Sequence, residues 1–135
     1  MPTTVHPAAL LVGRLLLAAL FLLEGWGKLR GYDGAVGYMQ KFGVPGQLLP
    51  LVIAAEIGGG LCLALGWQAR WAALALAGFT ILAALQFHQN FADRNQLLHF
   101  EKDLAIAGGL LVLFACGPGV WSLDPGRSRE APFGT

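Results

Sequence analysis

Eight polar side chains stand inside or at the edges of otherwise apolar stretches of this chain: Glu24, Lys28, Glu56, Gln86, His88, His99, Lys102 and Asp103. A charge removed from water needs an opposite charge, a set of hydrogen bonds or a wet cavity, so each is a candidate for function. Glu24 and Lys28 are four residues apart and share a helix face. Glu56 lies deepest in its apolar run, and a carboxyl in such a place can donate or accept a proton. Gln86 closes a third run, and His99, Lys102 and Asp103 open a fourth at helical spacing. If these runs are helices that alternate in direction, all eight meet at one end. Glu56 is then the deepest acid of a pocket, Glu24 and Lys28 form its first wall, and His88, His99, Lys102 and Asp103 line its mouth. An anionic or quinone-like head group suits such a mouth.

Structural readings compete at each position. Lys28, Lys102 and Asp103 flank apolar runs, where charged side chains anchor helices at an interface. Glu24 with Lys28 can be a plain ion pair, and Glu56 a helix-to-helix hydrogen bond. His88 and His99 have too few partners at ligand spacing to define a metal site, and none is expected. Cys62 and Cys116 form no CxxC pair and read as packing residues rather than a disulfide framework.

The elements that must position these groups follow from composition. The 135 residues are 56% hydrophobic and only 13% charged, with a mean hydropathy of +0.59, where soluble domains carry about 25% charge. The net charge of +1 gives no electrostatic reason to expect nucleic acid as a partner. Apolar runs at about 8–29, 48–66, 70–89 and 102–120 have span-like length against a hydrocarbon layer of about 30 Å. The first, interrupted by Arg14, reads as a retained helix rather than a cleaved signal. Together they predict an all-α integral membrane four-helix bundle, up-down-up-down, within a domain of residues 1–124. A polar, disordered tail follows at 125–135.

Only Gly66 to Arg70 separates the second and third runs, which makes them a hairpin. The glycine-rich link at 30–47 turns repeatedly, and within it Asp33 can cap a short surface helix carrying Tyr32, Val36 and Met39. The polar segment after the third run reads as a loop lying against the interface. Gly58, Gly59 and Gly60, with neighbouring alanines, let helices approach closely. Four crossings put both termini on one side. Basic residues do not select that side, since Arg14, Arg70, Arg127 and Arg129 face Lys28, Arg30, Lys41, Arg94 and Lys102 across the layer.

An early Arg14 and FLLEGWGKL, then FGVPG, AAEIGGGLCLALGWQAR and NQLLHFEKDLAIAGGLLVLFACGPGVWSLD, resemble in order and spacing the DoxX family of small membrane proteins. The likeness runs from about Arg14 to Asp124 and rests on Arg14, Gly25, Lys28, Pro45, Glu56, Gly60, Gly66 and the Ser122-Leu123-Asp124 ending. Glu24 beside Gly25 is an addition to that pattern. The resemblance implies a multi-pass protein of a bacterial inner membrane with both termini cytoplasmic. It also implies redox work, because members are named after a subunit of a thiosulfate:quinone oxidoreductase and others are linked to membrane redox complexes.

The leading expectation is therefore a membrane subunit of a quinone-linked oxidoreductase, holding a quinone or a small acidic substrate at Glu56, Glu24 and Lys28. Membrane lipid and a partner subunit or second copy would be its neighbours. No fingerprint for flavin, nicotinamide or haem is present. The alternative is a non-enzymatic scaffold that docks a partner through its glycine-rich faces. A small transporter is a third option, requiring oligomers to form a path.

Overall fold

The computed structural model describes residues 6–87 and 92–123. Among these the chain is all-helical, with no strand. The helices are α1 (Pro7–Arg30), α2 (Tyr32–Lys41), α3 (Leu49–Leu65, entered through a 3-10 turn at Gly46–Leu48), α4 (Ala69–Phe87) and α5 (Arg94–Cys116). Proline sits in the first turn of both α1 and α3, where the missing N–H has no intrahelical partner to lose.

Among the described residues three helical stretches are long and apolar enough to cross a membrane: Pro7–Arg30, Gly46–Leu65 and Ala69–Phe87. The four expected spans thus reduce to three on length and composition. The reason lies in α5, which runs from Arg94 to Cys116 rather than from about 102 to 120. Its first ten residues carry Arg94, Glu101, Lys102 and Asp103, and the apolar remainder, 104–116, covers only about 20 Å. The segment read as an interfacial loop is therefore helical from residue 94. Asp93 starts it, its Oδ1 accepting from the Asn95 N–H at 2.9 Å.

Adjacent long helices run antiparallel. Early in α1, Arg14 meets Ala64 near the end of α3, while late in α1, Lys28 meets Glu56. α4 packs on both α3 and α5. Two clusters result. The larger joins Ala18 and Phe21 of α1, Leu63 of α3, Ala73 and Leu76 of α4, and Leu110 of α5. The smaller seats Met39 of α2 on Leu49 and Ile53 of α3. Leu16, Leu23, Leu51 and Val112 point outward, the surface expected of helices that meet hydrocarbon.

α2 corrects the capping expectation. Gly31 occupies the N-cap position and no side chain caps the helix, so Asp33 falls in the first turn, where its charge complements the helix dipole. Met39 is buried, Val36 is half-buried and Tyr32 is exposed, so α2 rests on α3 as much as on any surface. Cys116 is also exposed, while Cys62 is half-buried; both thiols are free.

Candidate functional site

Glu56 sits on the face of α3 that meets α1 and is 4% exposed. The approach needs Gly25, because a Cβ there would lie 2.6 Å from Ile57 Cγ1 and 3.3 Å from Glu56 Cβ. One helical turn beyond Glu24, Lys28 brings its Nζ to 3.0 Å from Glu56 Oε1 and 3.2 Å from Oε2. The same ammonium lies 3.4 Å from Glu24 Oε2. Hydrogen-bond geometry is met at Oε2 of Glu56, whereas Oε1 is buried and close to the charge without an aligned donor. Side-chain exposure rises along this chain of groups, from 5% at Glu56 through 31% at Lys28 to 57% at Glu24.

Beside this pair opens a cavity of about 590 Å³, within the range of small-molecule sites. Glu24, Lys28 and Glu56 line it from α1 and α3, Gln86 from α4, and His99 and Asp103 from α5. Most other lining is apolar, including Met39, Leu49, Val52, Phe79, Leu82 and Phe87. Tyr38, Phe42 and Phe87 form a cluster of rings with centroids 5.0 to 5.4 Å apart, two of which, Tyr38 and Phe87, line the cavity. Gln86 Nε2 donates to the Phe42 carbonyl at 2.8 Å and ties α4 to the segment after α2. Burial pushes the Tyr38 phenol above its usual value of 10, with Lys28 partly offsetting this. Tyr38 therefore keeps its proton near neutral pH and can donate it in a hydrogen bond.

Glu24, Lys28, Glu56, Gln86, His99 and Asp103 are thus brought to one cavity. Lys102, expected at the mouth, is exposed on α5 and absent from the lining; His88 lies outside the described residues. Among the described residues no group of three or more His, Cys, Asp or Glu side chains could hold a metal ion. Sequence reasoning missed Thr80, which lines the cavity from α4 and is 5% exposed. The available signal was its position as the one hydroxyl-bearing residue of α4.

The opposite end is organised by Arg14, buried at 3% exposure. Its Nη1 donates to the Pro118 carbonyl at 2.6 Å, and its Nη2 to those of Trp121 at 3.0 Å and Ala64 at 3.4 Å. Leu123 N–H adds a bond to the Leu65 carbonyl at 3.1 Å. Gly66 ends α3 at φ +70°, and the space a Cβ would need is filled by Ser122. Among the described residues Arg14 has no carboxylate partner, so this cation serves to fasten backbone.

These features define a small helical membrane protein with a polar-floored cavity at one end and a buried arginine at the other. The chain belongs to the DoxX family, whose sequence model, described as DoxX, matches residues 9–89. It is 51% identical over 114 residues to "Inner membrane protein YqjF" of Escherichia coli (strain K12), covering 84% of this chain and 88% of that protein. It is 32% identical over 126 residues to "Inner membrane protein YphA" of the same organism, covering 88% and 90%. No solved structure matches the chain.

Proposed function

We propose that this protein is an inner-membrane subunit of a redox system and that its cavity receives the ring of a quinone. The observation that carries the reading is an apolar cavity of about 590 Å³ with the Glu56 and Lys28 pair at its wall. An apolar tail needs the slot, and ring oxygens need donors, which Lys28 and Tyr38 offer. The charge balance favours a neutral head group over a small acidic substrate. Three carboxylates, Glu24, Glu56 and Asp103, face one ammonium and the His99 imidazole, so acids outnumber bases even with His99 charged. Lys28 is already engaged by two of those acids. When bound, a quinone supplies two-electron, two-proton chemistry, the electrons coming from a flavin- or metal-carrying partner subunit. The residues of this chain hold the ring and exchange protons with water through Glu56, Lys28 and Glu24.

The same reading takes α5 as a fourth crossing, its polar first turns reaching into the interface and its outer residues snorkelling. Residues 1–124 then form one up-down-up-down domain with cytoplasmic termini in the inner membrane, the membrane for which both relatives are named, and 125–135 form its tail.

The test is saturable binding of 1,4-naphthoquinone to the purified protein in lipid nanodiscs, read by quenching of its tryptophan fluorescence. Glu56→Gln should weaken binding about tenfold or more, the weight of a hydrogen bond to a charged group. Absence of saturable binding by the unaltered protein rejects the reading.

A further inference from the structure

Thr80 and Glu56 stand on different helices, both line the cavity, and both are more than nine-tenths buried. Each carries an oxygen without a hydrogen-bond partner among the described residues: Thr80 Oγ1 and Glu56 Oε1. For Glu56 the nearby ammonium compensates by charge. Thr80 has no such compensation. In a helix a threonine hydroxyl ordinarily bonds back to a carbonyl three or four residues earlier, and here it does not. α4 otherwise lines the cavity with Phe79, Leu82, Ala83 and Phe87, together with Gln86, whose amide already donates to Phe42. A buried hydroxyl left unsatisfied carries its full desolvation penalty, whereas valine would fill the same space at no such cost. A polar occupant of the cavity removes the penalty.

We propose that Thr80 is the second polar anchor of this cavity, its hydroxyl holding one ring oxygen of a neutral quinone while the Glu56 and Lys28 pair holds the other. The proposal rests on the quinone reading and specifies the ligand further, as a head group with hydrogen-bonding oxygens on two edges. A lipid or alcohol with one polar end would engage only one of the two polar walls, Thr80 or the Glu56 and Lys28 pair. A hydroxyl both donates and accepts, so Thr80 serves a ring carbonyl and the corresponding ring hydroxyl alike. The anchor therefore holds the ligand in either redox state, which a pure acceptor cannot do.

The experiment compares the unaltered protein, Thr80→Val and Thr80→Ser in nanodiscs, each with 1,4-naphthoquinone and with α-tetralone, which keeps the fused ring and a single carbonyl. Thr80→Val should weaken the quinone about three- to tenfold, the range for one neutral hydrogen bond. Thr80→Ser should stay within about twofold, and α-tetralone should bind the unaltered protein and Thr80→Val equally. Unchanged quinone binding by Thr80→Val overturns the proposal. So does an equal loss for both ligands, which marks a change of shape rather than a lost contact. If Glu56→Gln abolishes quinone binding and Thr80→Val leaves it intact, the quinone reading survives and Thr80 alone is rejected. If the unaltered protein does not saturate with quinone, that reading falls and this one with it.

Discussion

Lys28 is shared by two carboxylates of very different surroundings, and the contacts differ accordingly in weight. The Glu24 contact is an exposed i, i+4 pair in the favourable order, acid before base, which contributes about 0.3–0.5 kcal/mol. The Glu56 contact has one partner almost wholly removed from water. Breaking a fully buried pair costs about 3–5 kcal/mol, and the one-third exposure of Lys28 reduces this to about 1–3 kcal/mol. Glu24→Gln should therefore leave reversible unfolding in mixed micelles within about 0.5 kcal/mol. Lys28→Met should destabilise by about 1–3 kcal/mol, and adding Glu56→Gln should recover most of that, because the buried charge is then gone. A double variant no better than the sum of its parts would show that the pair is not coupled. The Glu24 and Lys28 pair and the depth of Glu56 were legible in the sequence, since the first two lie one turn apart and Glu56 stands alone in an apolar run, whereas the reach of Lys28 to Glu56 depends on how α1 packs on α3. Thr80 was not, because a hydroxyl in a helix ordinarily finds its own backbone, and only coordinates reveal that this one does not.

At the scale of elements, the contact between α1 and α3 depends on two glycines. A Cβ at Gly25 would strike Ile57 at Cγ1, next to its branched Cβ, and one at Gly60 would lie 2.9 Å from Leu22 Cγ and 3.3 Å from the Ala18 carbonyl. Neither obstacle is a flexible side-chain end, so the helices must separate. Gly13 and Gly58, on the same helices, have nothing within 4 Å of a built Cβ. Gly25→Ala and Gly60→Ala should lower the melting temperature in detergent, by about 1–3 kcal/mol in stability. Gly13→Ala and Gly58→Ala should be neutral or slightly stabilising, since alanine favours helix. Equal effects at all four sites would exclude close packing as the cause. Helices α1, α3 and α4 were readable as long apolar runs. The start of α5 was misplaced because Arg94 to Asp103 is polar enough to pass for a loop. A signal was present: Asp93 followed three residues later by Gln96 has the spacing of a helix-opening capping box. The phase of α5, which turns Asp103 to the cavity and leaves Lys102 exposed, could not be read without knowing its packing against α4.

For the whole molecule, the buried polar groups divide between two ends. The cavity and its acids occupy one, and the Arg14 network the other, with Trp67, Trp71 and Trp121 exposed toward the latter and Trp26 toward the former. Exposed tryptophans near both ends fit the headgroup regions of a bilayer. The antiparallel contacts place the turn between α3 and α4 beside the segment after α5. Reporter fusions at residue 67 and after residue 123 should therefore register the same side, and a fusion within α2 the other. A fusion after residue 123 on the side of α2 would show that α5 does not cross.

The Arg14 network also fixes an order of events during synthesis. Its guanidinium belongs to α1, yet two of the carbonyls that receive it, those of Pro118 and Trp121, are made more than a hundred residues later. Until then the cation has no final home and must be tolerated by lipid headgroups or the insertion machinery. The fold thus closes only once residue 121 has been made, and a product halted before Pro118 is left with a stranded charge.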